Sequence, residues 1–367
     1  MRDAVPNAIR SPVLAACCLI ALARVASGEE KRPAPATSGP AVVSRMPDHG
    51  LREAASRAVR LIDRTSAGFL TTRTCFTCHT QTLSAMVLSD ARKVGIEIDE
   101  ANFKRQSERA FEDSVFGGVR VDTVGYALWA LDIGRHAPNE KTDQLVAYLL
   151  DYQKELGVWK TTVDRPPAEA SSFTTNYVAV RGLNRYGSAK RREAIATRAA
   201  AVARWLETAD AATTEDRVFR LRLAHELTWP PEKLDRFVQE LLGEQDAGGG
   251  WSQQRGMNPD AYATGSVLVA LREAGGLSCR HPAWRRGLGY LLRTQKPDGS
   301  WHVVSRAAPL QEYFESGFPH GKDQFISAFA TGWATEALLM FLAENGTGAA
   351  RDVAPHSGHR PARARRS

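Results

Sequence analysis

The sequence predicts an all-α protein built as an (α/α)6 toroid, six helical hairpins closed into a ring. Three observations lead there. Apolar residues recur three and four apart through the body of the chain, broken by Gly, Pro and Asp clusters, with no run of alternating strand character. A segment of the form apolar helix, Gln, polar turn, Gly-x-Trp, loop and second apolar helix occurs three times. Pairing the helical stretches gives six hairpins.

In chain order, the first element is Pro12 to Ala23, an apolar run preceded by Arg2 and Arg10 and followed by Val25-Ala26-Ser27-Gly28. This pattern is that of a secretory signal with cleavage near Ser27, and it predicts a secreted or periplasmic protein. A retained N-terminal anchor is the alternative. Leu14-Ala15-Ala16-Cys17 has the outline of a lipoprotein box, but too little apolar sequence precedes it. Residues 1–27 are read as signal peptide. Residues 28–48, rich in Pro, Ala, Ser and Gly, are read as a disordered linker. Residues 49–345 form the toroid, and residues 346–367 a disordered basic tail.

The six predicted pairs are 50–66 with 76–94, 99–114 with 121–134, 138–153 with 171–186, 190–207 with 214–226, 231–245 with 259–274, and 281–295 with 323–344. The second helix of each pair is the more apolar and is expected inside. An open helical solenoid is the competing arrangement. The repeated segments place Gln153 before Trp159, Gln245 before Trp251, and Gln295 before Trp301. Gly allows the reversal, Gln can satisfy helix-end backbone groups, and the Trp ring can pack under the turn. Ala, Gly and Thr on the inner helices allow close packing.

Composition narrows the function classes. The 367 residues are 43% hydrophobic and 24% charged, which excludes a collagen-like or wholly disordered chain. The formal charge of +7 sits mostly at the ends: +2 in residues 1–27, +4 in residues 346–367, and +1 in the body between. A nearly neutral body argues against a nucleic-acid partner and predicts a soluble protein with little reason to associate with membranes beyond its ends.

Cys75-Phe76-Thr77-Cys78-His79 has the spacing of a c-type haem attachment site. Two thiols three residues apart can form thioethers to both vinyl groups of one porphyrin, and the adjacent His79 can ligate its iron. An extracytoplasmic location agrees with covalent haem. A redox dithiol, a disulfide staple and a partial metal site stay open as alternatives. Cys279 reads as a small buried hydrophobe.

If the ring closes, all inner helices start at one face. Asp122, Thr175, Asp216, Asp260, Asp323 and Gln324 then form a polar rim, some of them as helix caps. Tyr126, Tyr177, Tyr262 and Phe329 are expected to line an apolar cavity below it. The long loop 301–322 should pass near Cys75–His79. It carries His302 and His320, candidates for the second iron ligand, with His320 preferred. Met257 ranks below them. Met86 lies along the same helix as the motif and reads as core, and His136 and His225 read as structural or surface residues. Arg73, Arg306 and Lys322 are candidates for haem propionates or an acidic ligand, each against a plain surface role. Asp260 and Asp323 are candidate proton donors if the chain is an enzyme.

The Gln-to-Gly-x-Trp segments resemble the QW repeats of squalene–hopene cyclases and related terpenoid cyclases. The six-hairpin count resembles the α/α toroid those enzymes share with protein prenyltransferase β subunits. The resemblance covers roughly residues 50–344 and implies the fold, with an apolar or isoprenoid small molecule as a ligand class. The Asp-x-Asp-Asp acid motif of the cyclases is absent, and Ser278-Cys279-Arg280-His281 does not reproduce the zinc element of the prenyltransferases. Neither chemistry therefore carries over residue by residue. The chain also resembles a group of secreted bacterial toroid-like proteins with Cys-x-x-Cys-His near the N-terminus, in that motif and in Tyr313 to Phe325. Covalent haem c with a periplasmic redox partner is the leading expectation. A haem-free isoprenoid-binding or cyclase-like toroid and a non-catalytic scaffold are the others.

Overall fold

Apolar periodicity becomes helix along nearly the whole body of the chain in the computed structural model, which describes residues 48–72, 81–111, 120–309 and 312–349. Twelve α-helices lie among the described residues: α1 (Asp48–Thr72), α2 (Leu83–Lys93), α3 (Glu100–Glu108), α4 (Val121–Ile133), α5 (Glu140–Asp151), α6 (Ser172–Tyr186), α7 (Arg192–Thr208), α8 (Thr214–Glu226), α9 (Pro231–Gly243), α10 (Ala261–Glu273), α11 (Pro282–Thr294) and α12 (Gln324–Ala349). No strand occurs among these residues, only the isolated bridges Arg165 to Glu169 and Trp251 to Asp260.

The even-numbered helices form the inner layer. Each touches the next in sequence order, and α12 returns to touch α2, which closes the ring. The odd-numbered helices lie outside, and most are wedged between two inner ones; α1, for example, packs on both α12 and α2. The open solenoid is thereby excluded, since α1 and α2 belong to hairpin one and α12 to hairpin six.

Sequence sorts the layers. On α11 the buried face is Ala283, Trp284, Gly287, Leu288 and Leu291, an amphipathic stripe. On α10 every residue from Ala261 to Leu271 is buried, as suits a helix enclosed on all sides. Helix α12 is long and apolar enough to cross a membrane, yet 78% of its apolar window is buried inside the ring. Two glycines let inner helices touch backbone to backbone. A Cβ on Gly265 would lie 2.6 Å from the Ala334 nitrogen, and one on Gly125 would lie 2.8 Å from the Val178 carbonyl carbon.

The three Gly-x-Trp segments build one repeated joint. In each, the indole N–H donates to the carbonyl ten residues earlier: Trp159 to Leu149 at 2.9 Å, Trp251 to Leu241 at 2.6 Å, Trp301 to Leu291 at 2.8 Å. The Trp backbone N–H donates to a polar side chain on the following inner helix, Asn176, Thr264 or Thr331. Each ring is fully buried, on the order of 200 Å² withdrawn from water per indole.

The glutamines reach sideways. Gln245 Nε2 donates to the Ala283 carbonyl of α11 at 2.8 Å, and Gln295 Nε2 to the Ala54 carbonyl of α1 at 2.9 Å. An arginine three residues further along the receiving helix answers each: Arg286 donates to Gln245 Oε1 and Arg57 to Gln295 Oε1. Gln153 differs. It accepts from the Lys160 N–H, and Arg198 of α7 reaches the carbonyls of Tyr152 and Gln153 instead. Gly299 presses on the same ring-closing contact. Its φ is +93°, and a Cβ there would sit 2.6 Å from the Arg57 carbonyl carbon.

Gly299→Ala should therefore cost about 2–4 kcal/mol in chemical denaturation, from a left-handed backbone combined with a backbone clash. Gly243→Ala, in open space at the end of α9, should stay within about 0.5 kcal/mol. Equal stability of the two variants would mean that the Gly299 contact does not close the ring.

Candidate functional site at the inner-helix starts

Orphan amides at the start of each inner helix need acceptors, and the rim residues are built from that need. Asp260 caps α10, accepting from the Ala263 N–H at 2.9 Å, and its other oxygen accepts from Gln253. Asp216 closes a capping box with Thr213 and accepts from the Ser171 hydroxyl at 2.7 Å, which ties α8 to the cap of α6. Asp122 lies buried in the first turn of α4, bonded to Thr175, whose hydroxyl also donates back to the Ser171 carbonyl. Gln324 accepts from the Ser316 N–H and donates to the Phe314 carbonyl, folding the loop back over the start of α12. The rim thus forms, and caps account for part of it.

A second set of groups enters this face that spacing did not single out. Glu215 is fully buried on α8. It accepts from Thr174 Oγ1 at 2.8 Å and from the Tyr262 hydroxyl at 3.0 Å. Burial pushes its carboxyl up to about 8, against the two hydrogen bonds that lower it. Asp122 is raised to about 6, again by burial foremost, with the neighbouring Glu169 adding to it. Glu169 itself is held by Arg165 at 2.8 Å. Asp260 is raised by burial despite its caps. For Asp323, burial also works upward, but the Ser305 N–H and His302 outweigh it, and its pKa falls below the ordinary carboxylate value. Asp323 is accordingly an anion, unsuited to donate a proton, whereas Glu215, raised to about 8, can hold one.

Cys75, Cys78, His79 and Arg73 lie outside the described residues. The described chain resumes at Gln81 and Thr82, both buried, and Thr82 donates to the Tyr126 carbonyl at 3.0 Å as it enters α2. A small apolar cleft lies beside this point, between Phe69 of α1, Leu83 of α2, and Phe318 and Phe325.

The loop before α12 brings both candidate histidines together. The rings of His302 and His320 stack with centroids 4.6 Å apart and planes 17° apart. His302 Nε2 lies 2.8 Å from Asp323 Oδ2. Since Asp323 is ionised, that nitrogen donates and Nδ1 carries the lone pair. His320 Nε2 lies 2.8 Å from Ser300 Oγ, and that hydroxyl donates to Asp298. Its Nε2 therefore also donates, leaving Nδ1 as the basic nitrogen. Burial, then the neighbouring His302, lowers the His320 pKa and favours the neutral ring. Neutral imidazoles whose remote N–H is fixed by a polar partner are the form in which histidine ligates metals. Among the described residues no group of three or more His, Cys, Asp or Glu could hold a metal ion unaided.

The other candidates have specific partners. Arg306 donates to Gln253 and Gln254, stitching two rim loops. Lys322 is exposed. His136 bonds Ser107 and meets Phe111 edge-on, a structural role. Tyr126, Tyr177, Tyr262 and Phe329 are all buried, and Tyr262 meets Phe329 edge-on near the axis. The cavity with Tyr177 in its wall, about 390 Å³, opens at the opposite end of the ring, among the C-terminal turns of the inner helices. Met86 and His225 also line it. Its wall is strongly charged and not the apolar, aromatic cavity expected beneath the rim. The difference arises because Tyr126 and Trp129 stack on each other and fill the middle of the ring.

Two groups escaped the sequence reading altogether. Glu215, next to Asp216 in the first turn of α8, carries no local signal of its burial. Glu336 is a lone acid in the apolar run of α12, fully buried, and its pKa is driven well above the ordinary value by burial and by Asp90.

No protein-family model and no curated protein matches this chain. Among solved structures it is similar to a variant of the type II terpene cyclase MstE from Scytonema, determined with geranylgeranyl dihydroxybenzoate. The identity is 12%, the TM-score 0.52, and the match covers 81% of this chain and 99% of the cyclase chain. A possible member of the GH105 family from Salmonella enterica serovar Paratyphi A matches at 10% identity and TM-score 0.49, over 85% and 99% of the two chains. The likeness to the cyclase is one of fold, and the chain is an all-α toroid.

The pH dependence of stability tests the Glu215 environment. In the unfolded chain this carboxyl titrates near 4.5, and in the fold near 8. Its contribution is fully present below about 4.5 and is lost as pH rises through 8, because only the unfolded state ionises in between. Measured by denaturation from pH 4.5 to 8, the stability of Glu215→Gln should rise relative to wild type by up to about 1.4 kcal/mol per pH unit. Parallel profiles would contradict the buried, protonated carboxyl.

Proposed function

We propose that this toroid carries a c-type haem attached through Cys75 and Cys78 with His79 as an iron ligand, and works outside the cytoplasm in a redox role. That role is electron transfer with a periplasmic partner or oxidation of an apolar ligand. The observation that carries the reading is the Cys-x-x-Cys-His motif, sited just before α2 enters the inner ring. In the loop before α12, His302 and His320 each present Nδ1 as the basic nitrogen. Haem bound here would supply one-electron redox chemistry.

The chain's own residues have definable parts in this reading. The thioether cysteines would fix the porphyrin to the start of α2. Asp323 holds the His302 ring in orientation through the 2.8 Å bond to Nε2, and Ser300 does the same for His320. Either ring would be suited to hold the iron together with His79, with His320 preferred for its lowered pKa and its position shortly before α12. Phe69, Phe318 and Phe325 offer apolar surface beside the start of α2.

A second reading has one observation in its favour, the fold likeness to a terpene cyclase determined with a geranylgeranyl substrate. In it the chain binds an isoprenoid or lipid without haem, and Cys75 and Cys78 serve as a staple. Proton donation would then fall to Asp260 or Glu215, whose pKa values are raised, rather than to the ionised Asp323.

A pyridine haemochrome spectrum of the chain, exported in a host with cytochrome c maturation, separates the two. The haem reading expects about one c-type haem per chain, lost when Cys75 and Cys78 are both replaced by Ser. A colourless, folded, monodisperse protein made under the same conditions would overturn it.

A further inference from the structure

Helix α12 meets α2 where the ring closes, and one side chain there is used by neither reading. Glu336 of α12 is 0% exposed. Both of its carboxyl oxygens are buried and receive no hydrogen bond from the protein. An ionised carboxylate is strongly disfavoured in such a place, because neither water nor a donor replaces its hydration.

The polar group within hydrogen-bond reach is itself an acid. Asp90 of α2 faces Glu336 across the seam, and Lys93 holds Asp90 at 2.5 Å. Two carboxylates offer only acceptors, so they can bond each other only through a proton. That proton belongs on Glu336, since the Asp90 side chain is 30% exposed and paired with a lysine. The Glu336 O–H then donates to the Asp90 carboxylate, and the buried acid is satisfied.

The other charges around α12 do not relieve Glu336. Glu273 of α10 adds a second negative charge, although it is paired with Arg222 at 2.9 Å. Lys93 favours the charged form, but less than Asp90 and Glu273 oppose it. Arg272 of α10 is paired with Glu344. On α1, Arg52 bonds the Val94 carbonyl, Arg57 bonds Gln295 and Asp63 bonds Asn102, while Arg60 and Arg64 are exposed. On α11, Arg286 and Arg293 bond Gln245 and the Gly248 carbonyl. Lys322 and Asp323 sit at the far end of α12, about 20 Å of helix rise away. Asp90, Lys93 and Glu273 line the 390 Å³ cavity at the carbonyl end of the ring, which gives the acid pair a route for protons to water.

We infer that Glu336 and Asp90 form a proton-operated latch across the seam that closes the ring. A shared proton holds α12 to α2. Its loss to water leaves two facing anions, and the contact between hairpin six and hairpin one opens while the rest of the ring stays folded. Helix α2 follows the Cys-x-x-Cys-His motif, and α12 follows the loop with His302 and His320, so the latch acts on the seam between those two segments. It does not require haem to be attached.

In the open contact Glu336 titrates near its ordinary 4.5, whereas the closed contact keeps the proton to a much higher pH. Opening therefore becomes up to about tenfold more favourable per pH unit above 4.5, and the latch weakens as pH rises. Amide hydrogen exchange of the full chain by mass spectrometry, between about pH 6 and pH 9 and corrected for intrinsic rates, reads this peptide by peptide. Protection of α2 and of α12 around Glu336 should fall about tenfold or more further in wild type than in Glu336→Gln, whose amide mimics the protonated acid. Comparison with this variant removes the pH dependence that Glu215 contributes to both proteins. Peptides from α5 and α9 should show no difference between the two. Asp90→Asn, which removes the facing charge, should also flatten the fall, and it decides the matter should Glu336→Gln not fold. Equal pH dependence in wild type and Glu336→Gln, an equal change in every peptide, or an Asp90→Asn profile identical to wild type would each overturn the inference.

Discussion

The hydrogen bond from a buried indole to the carbonyl ten residues before it is the interaction on which the ring depends. It turns the chain from an outer helix into the loop leading to the next inner helix, and it appears at Trp159, Trp251 and Trp301 with nearly the same partners. By itself it only shapes a turn. The adjoining Gln and Gly convert that turn into a lateral joint, because Gln295 bonds the Ala54 carbonyl of α1 and Gly299 packs on the Arg57 backbone. A ring of hairpins must be joined somewhere across its ends, and this joint does so with residues more than two hundred positions apart.

Closure gives the molecule two chemically distinct ends. Inner helices all run the same way, so their amide ends gather at one face and their carbonyl ends at the other. The first face attracts acceptors. Asp216 and Asp260 serve there as caps, and Asp122 and Glu215 lie buried alongside with raised pKa values. The second face attracts cations, and Arg181, Arg185, Arg222 and Lys93 gather there around a cavity. The stacked pair Tyr126 and Trp129 lies between. The gathering of carboxylates at one end and of cations at the other is thus a consequence of helix polarity as much as of particular motifs.

Much of this frame was legible in the sequence, for physical reasons. Helix pairs follow from local periodicity, and the joint from a repeated local string. The inner layer follows from helices that are apolar on every side, as in Ala261 to Leu271. What local patterns cannot reveal is a partner brought from afar. Glu215 is notable only because Thr174 and Tyr262 enclose it, from 41 and 47 residues away. His302 and His320 were read as rival candidates, and the structure stacks them because Gln324 folds the loop back on itself. Arg181 and Arg222 carry no local signal, and only the fold brings them over Trp129 beside the cavity. Glu336 was missed as well, although a single acid within an apolar run is a visible anomaly.

An anomalous-scattering map at the iron edge, from a crystal of the protein, tests haem attachment and its place on the closed ring at once. The predicted result is one iron peak near the start of α2, within ligating distance of His79 and of His302 or His320. A map without iron there, showing Cys75 and Cys78 joined to each other instead, would contradict it.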